Sequence, residues 1–376
     1  MHIVQIVTTH PPFDVRVFYK ISRTIIEAGH RVTMLMLYNG KADPYPGIEY
    51  DIVPRPDNRF MRVYVGRRLG KRALALDGDI YIIHDTEVLD LAKYLSKHGK
   101  KVIHDAMEPY PFYLSEKRWV PDILRGAVRK FIAKKEWDGV EACDGLIVAM
   151  KENIERLEDT GTPILMLHNF PRGEDILDEI PPKTDTIIYV GGLMKSRKGI
   201  EILGMAEHFA PGGLFDGWRL EVIGPCFDGV YGKACMKVAE NHMGKGYLKF
   251  PRKLEPYADV LKMMESARFG LSLVEPTPNY SRIVSTKVFD YMAKGTVPIA
   301  TWLPSYEGLI TEADGPVFIA PGDEPKVPQI IADLARDDVA MRQRAETCLK
   351  SVREKFTWET DAQFLPEFLD RIAGKN

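Results

Sequence analysis

Short β-branched runs alternate with apolar stripes at helical spacing along this chain, and the alternation runs twice. His2–Val7 is an apolar run. After a loop, residues 15–28 carry Val15, Phe18, Ile21, Ile25 and Ala28 at spacings of three and four, which suits a helix that Gly29 ends. Residues 31–37, 49–53, 79–83, 101–103 and 145–149 read as further strands, with a helix at 87–97. Residues 171–185 break the pattern with Pro171, Pro181 and Pro182 among charges, as an interdomain linker does. Strands are then expected at 186–190, 219–223, 247–250, 269–273, 297–299 and 317–319, with helices at 199–209, 258–266, 286–294 and 327–335. Only parallel sheets covered on both faces read this way. The chain is therefore expected to be α/β, with two Rossmann-like, doubly wound domains over 1–170 and 171–355. Ligands bind beyond the carboxyl ends of such strands, and two domains facing each other would form a cleft.

Composition removes several alternatives. The 376 residues hold 51 Lys and Arg against 53 Asp and Glu, a net charge of −2, whereas a nucleic-acid ligand calls for a basic surface. Cys143, Cys226, Cys235 and Cys348 contain no C-x-x-C pair, so neither a disulfide scaffold nor a structural zinc site is expected. The amino terminus, MHIVQIVTTHPP, lacks a basic leader and reads as a first strand. No apolar run approaches the ~20 residues that span a bilayer. A cytoplasmic location follows as the expectation.

Two segments carry candidate chemistry. In YVGGLMKSRKG (189–199), Gly191 and Gly192 follow a strand and Lys198 precedes a helix, a place where backbone and ammonium can meet a diphosphate. The plainer reading is a turn with a solvated lysine. In TKVFDYMAKGTVPIA (286–300), Thr286 reads as an N-cap, and Lys287 and Asp290 share a helix face. At a strand-to-helix mouth Asp290 can accept from ribose hydroxyls; otherwise the two form an ordinary surface ion pair.

Together these segments resemble the GT-B glycosyltransferases of the family 4 type, over nearly the whole chain. DVRVFYKISRTIIEAGHRV (14–32) and HDTEVLDLAKYLSKHGKKVIHDAMEPYP (84–111) are similar to amino-domain segments of that family. LHNFP (167–171) falls where the family leaves its first domain, and FTWE (356–359) opens a carboxyl-terminal helix (356–376) that crosses back onto it. The resemblance implies transfer of a sugar, with retention, from a UDP- or GDP-linked donor to a glycan or lipid-linked acceptor in polysaccharide or glycolipid synthesis. It requires no cofactor and no metal. It assigns Lys198 to donor phosphate and Asp290 to donor ribose, with Gly191, Gly192, Arg282 and Lys287 beside them. Met107 and Glu108 match the catalytic segment of the first domain, and Asp14, Arg16, His84, Asp85 and Tyr110 fall on its acceptor side.

The sequence departs from the family at three places. Gly192 stands where an arginine is common, Arg282 where a glutamate is common, and Met107 where a histidine is usual. Arg282 is a candidate for the charge that Gly192 lacks. Met107 favours a donor without a 6-hydroxyl, a pentose or 6-deoxysugar, unless another group satisfies that hydroxyl. The departures also keep two rivals in view, an inactive GT-B binding protein and a nucleotide-sugar epimerase. Asp77 and Asp79 precede a strand and so sit at the wrong edge of a sheet for a metal pair. His84 and Asp85 read equally as ligand-facing groups or as a satisfied structural pair. His104 lies an odd number of positions from Met107, so it does not replace the missing histidine.

Two basic stretches remain, 55–72 (Arg55, Arg59, Arg62, Arg67, Arg68, Lys71, Arg72) and 117–135 (Lys117, Arg118, Arg125, Arg129, Lys130, Lys134, Lys135, around Trp119 and Phe131). Basic amphipathic helices can rest on anionic lipid, which would place the protein peripherally on the inner face of the membrane. Solvated helix faces are the plainer reading.

Overall fold

The computed structural model describes residues 1–117, 120–226, 229–253 and 256–375, apart from the Arg59 side chain. The chain divides into two compact units, Met1–Asn169 with Trp358–Asn376, and Phe170–Thr357. Unit 1 holds seven parallel strands: β1 (His2–Val7), β2 (Arg31–Leu37), β3 (Ile48–Val53), β4 (Ile80–Ile83), β5 (Lys101–Ala106), β6 (Gly145–Val148) and β7 (Ile164–Met166), in the order β3-β2-β1-β4-β5-β6-β7. Strand alternation splits the buried side chains between two faces. Ile3 and Val7 pack on one side with Trp358, Leu365, Phe368 and Leu369, while Val4 and Ile6 face Leu69, Val88 and Leu91 on the other. The carboxyl-terminal helices Trp358–Ala362 and Leu365–Ile372 thus complete a layer of unit 1. The Trp358 indole donates to Thr24 Oγ1 (2.9 Å), and Asp361 accepts the His168 backbone N–H at 2.8 Å.

Residues 15–28 are helical as expected, but the first turns are wound differently. Val15–Ser22 is a π-helix that tightens into an α-helix over Arg23–Glu27. Asp14 O accepts from both Phe18 N (3.0 Å) and Tyr19 N (3.2 Å), while the Asp14 carboxylate caps Arg16 N and Val17 N. Apolar spacing does not separate these two helix types.

Unit 2 holds six parallel strands: β8 (Thr184–Val190), β9 (Arg219–Ile223), β10 (Leu248–Lys249), β11 (Ala267–Ser272), β12 (Val297–Thr301) and β13 (Val317–Ile319), in the order β10-β9-β8-β11-β12-β13. Phe170 belongs to this unit's core, with its ring 4.8 Å from that of Phe289. In each sheet the order reverses once, between β1 and β4 and between β8 and β11. A crevice opens at the carboxyl ends of strands at such switch points, where ligands bind. Both candidate sites lie there.

Candidate active site

The unit 2 site begins where β8 ends. Beyond Val190 the chain keeps pairing with the segment after β9, since Gly191 N donates to Ile223 O (2.8 Å) and Leu193 N to Pro225 O (2.9 Å). The two segments come so close that a Cβ on Gly224 would lie 2.1 Å from Gly191 O, and Gly224 has φ +155°. Only glycine fits there. Across the switch point, the Tyr291 hydroxyl accepts from Val190 N (3.1 Å) and donates to Leu271 O (3.3 Å), tying β8 to β11.

Gly191 itself, at φ +137°, leaves a notch. A Cβ there would sit 3.5 Å from Lys287 Nζ and 3.6 Å from Arg197 Nη1. Lys287 comes from the first turn of the helix Thr286–Ala293, and its ammonium stands over the Tyr189 ring, 4.8 Å from the centroid. It forms no hydrogen bond or ion pair among the described residues, Asp290 included, so a surface ion pair is not what the two residues make. Burial, and then the Arg197 charge, depress its pKa to about 7 against a smaller opposing pull from Asp290. Arg197 is oriented by Tyr280, whose hydroxyl accepts from its Nε at 2.8 Å. Two basic side chains, Lys287 and Arg197, therefore converge on a corner that carries no side chain. Asp290 is buried one turn further along the same helix.

Lys198 lies at the expected place, in left-handed backbone (φ 51°, ψ 39°) immediately before the helix Gly199–Gly204. Its Nζ is 3.4 Å from Glu324 Oε1, a buried carboxylate, and 4.0 Å from Glu201. Arg282 ends a short turn over Tyr280–Arg282 and donates to Pro278 O at 2.6 Å. The guanidinium beside the glycine corner is that of Arg197, which the sequence reading passes over although it sits inside the quoted loop. Thr286 is the first helical residue and not the cap. Ser285 precedes it, with its hydroxyl 2.8 Å from that of Ser272 instead of on the helix end.

In unit 1 the residues expected on the acceptor side separate into two levels. Arg16 and His84 lie beneath the surface in one network. Arg16 grips Asp105 with Nε (3.1 Å to both oxygens) and Nη2 (2.7 Å), and its Nη1 donates to Leu167 O. His84 Nδ1 meets Asp105 at 2.9 Å and its Nε2 meets Gln5 Oε1 at 2.8 Å. Gln5 continues to Ser22, which donates to Val17 O. Burial opposes the Asp105 charge, yet Arg16 and His84 hold its carboxyl far below the usual carboxylate range. His84 thus has protein partners at both ring nitrogens and also lines the pocket above.

Above this network a pocket of about 510 Å³ opens beyond β1, β4 and β5, lined by Thr9, His10, Asp85, Met107, Glu108 and Tyr110 among others. Asp85 is held by Thr8 N (2.6 Å), Thr9 N (3.2 Å) and the Thr9 hydroxyl. His10 Nδ1 is 3.1 Å from Asp14. Burial works against its charge, but Asp14, Asp85 and Asp105 lift the imidazole pKa to about 9. Burial opposes the Asp14 charge in turn, and His10 with the capping N–H groups draws its pKa down. Met107 is partly buried at the end of β5 and Glu108 is exposed beside it.

The chain matches no protein-family model and no curated protein. Solved structures do resemble it. Sucrose-phosphate synthase from Thermosynechococcus elongatus superimposes with a TM-score of 0.75 over 100% of both chains at 15% identity. A UDP-forming trehalose-phosphate synthase from Burkholderia vietnamiensis gives 0.70 over 100% of both chains at 12% identity. Anabaena HepE, in complex with UDP and glucose, gives 0.70 over 99% of this chain and 100% of that one, also at 12%. The chain has the GT-B fold. At these identities the likeness is one of fold. It agrees with the two parallel sheets and with the carboxyl-terminal helices packed on the first of them.

Proposed function

We propose that this GT-B chain is a retaining glycosyltransferase of the family 4 type, transferring a sugar from a UDP- or GDP-linked donor to a glycan or lipid-linked acceptor. The observation that carries the donor reading is the convergence of Lys287 and Arg197 on the side-chain-free corner at Gly191. A departing nucleotide diphosphate develops negative charge, and fixed cations in a partly desolvated notch stabilise it. Lys198 adds a third positive charge, balanced by Glu324 in the absence of an anion. Asp290 is suited to accept from ribose hydroxyls, and Arg282 and Gly192 flank the same loops. None of these groups requires a metal. UDP- and GDP-forming members of the fold class would be told apart by a thermal-shift titration of the full chain with UDP, GDP, dTDP and ADP, since a ligand stabilises the state that binds it. A shift with none of the four would count against the donor site.

On the acceptor side, His84, Asp85, Met107, Glu108 and Tyr110 line the unit 1 pocket, whereas Asp14 supports it through His10, and Arg16 through Asp105. Peripheral contact with an anionic membrane belongs to the same reading. The helix Arg59–Ala75 exposes Phe60, Met61 and Tyr64, and residues 123–131 expose Ile123, Leu124 and Phe131, all within the basic stretches. Several of those arginines are paired, Arg67 with Asp90 (2.6 Å) and Arg125 with Asp122 (2.8 Å) among them. Arg118 and Trp119 lie outside the described residues. Among the described residues no helix is long and apolar enough to cross a membrane.

A further inference from the structure

The unit 1 pocket also carries Arg55, Arg62, Glu87, Tyr113 and Lys117 on its walls, and its charges are not equally engaged. Its carboxylates Asp85 and Glu87 are held by protein donors. Asp85 accepts from two backbone N–H groups and a hydroxyl, and His10 Nε2 lies 3.7 Å away. Glu87 takes a bidentate grip from Arg62 (2.8 and 3.2 Å) and a bond from the Thr8 hydroxyl. Among the described residues of the pocket, Arg62 is the one cation held bidentately by a carboxylate.

Arg55 uses Nη1 on Thr9 O at 3.2 Å, and its guanidinium has no carboxylate partner among the described residues. Lys117 stands over the Tyr113 ring, 3.6 Å from the centroid, likewise with no carboxylate partner among the described residues. His10, held charged by Asp14, reaches Asp85 only loosely through Nε2. The guanidinium of Arg55, the ammonium of Lys117 and Nε2 of His10 are therefore cationic donors with no carboxylate within hydrogen-bond distance among the described residues, while Asp85 and Glu87 are occupied. Guanidinium and ammonium groups with free N–H bonds match a phosphate. A cavity of about 510 Å³ has room for a sugar beside it, and tyrosines form one wall.

We infer that this pocket selects a phosphorylated acceptor, its phosphate met by Arg55, Lys117 and His10. The inference rests on the glycosyltransferase reading and names its acceptor class. The phosphate can belong to a soluble sugar phosphate or to the diphosphate of a lipid-linked sugar, two sources of one chemistry.

The test is calorimetric titration of the full chain with glucose 6-phosphate against glucose, and with a short-chain prenyl-diphosphate sugar against the same sugar as its methyl glycoside. At least one phosphorylated probe should bind tenfold or more tightly than its counterpart, and the tighter of the two identifies the source. Arg55→Met with Lys117→Met should erase that preference while leaving UDP and GDP binding unchanged. Lys117→Met alone, which removes a side chain resting on a ring, should lower it several-fold if the double variant does not fold. Equal binding of both phosphorylated probes and their counterparts would overturn the inference. So would a preference that survives these changes and disappears in Lys287→Met, since the phosphate would then sit at the donor corner. Failure of the donor reading would show separately, as absence of nucleotide binding in the unaltered chain.

Discussion

Replacing Lys287 with methionine should separate the ligand role of this residue from its cost to the fold. The ammonium makes no hydrogen bond or ion pair among the described residues and lies beside Arg197, so its removal leaves no partner stranded. If it donates to the donor diphosphate, one charge-assisted hydrogen bond is lost, about 1.5–3 kcal/mol. That corresponds to roughly 10- to 150-fold weaker nucleotide binding. Stability should move the opposite way. The folded-state pKa is about 7, below the ordinary 10.5, so the unfolded chain binds the extra proton between these values. The penalty is complete below pH 7 and disappears as pH rises toward 10.5. Lys287→Met should therefore melt above the unaltered protein at pH 6, with the gain fading by pH 10. Calorimetric titration with the nucleotide diphosphate and melting curves across pH read the two effects. Nucleotide affinity within twofold of the unaltered chain, in a variant that melts normally, would refute the donor role.

Asp290→Ala should weaken nucleotide binding by about 1.5–3 kcal/mol. Unchanged affinity in calorimetry on the folded variant would remove the ribose assignment. Asp105→Asn leaves the Arg16 guanidinium buried against a neutral amide and should destabilise unit 1 by about 3–5 kcal/mol in chemical denaturation; a loss below ~1 kcal/mol would contradict the network's role. Sedimentation with anionic vesicles should show binding that weakens as salt rises. Equal partition onto neutral vesicles would remove the electrostatic case for the basic stretches.

The fold was legible because parallel strands buried on both faces leave uninterrupted apolar runs such as Met34–Leu37, Ile80–Ile83 and Leu146–Val148, all shielded from solvent. β7 escaped the reading because its three residues are only partly buried at the sheet edge. The helix Asp338–Lys355 escaped it too, although Met341, Ala345, Cys348, Leu349 and Val352 mark a buried stripe, because charged residues dominate the rest of its length. At the Gly191 corner the segment was visible and its wiring was not. Gly191 and Lys287 are far apart in sequence, and only the folded switch point brings Lys287 Nζ 3.5 Å from where a Gly191 Cβ would stand. Likewise nothing local to Arg16 announces a partner at Asp105, 89 residues away. His10, Arg55 and Lys117 come from three separate loops or turns, so the pocket they share has no sequence signature.

The central claim is that this chain moves a sugar from a nucleotide diphosphate donor with its anomeric configuration kept. Proton NMR of the full chain incubated with UDP- and GDP-linked hexoses, pentoses and 6-deoxysugars, together with glycan and lipid-linked acceptors, tests it most directly. The account predicts release of nucleotide diphosphate from at least one donor and an anomeric coupling in the product equal in sense to that of the donor. Product with the opposite configuration would contradict retention. Nucleotide-linked products formed with no acceptor present would contradict the transferase itself and establish the epimerase in its place.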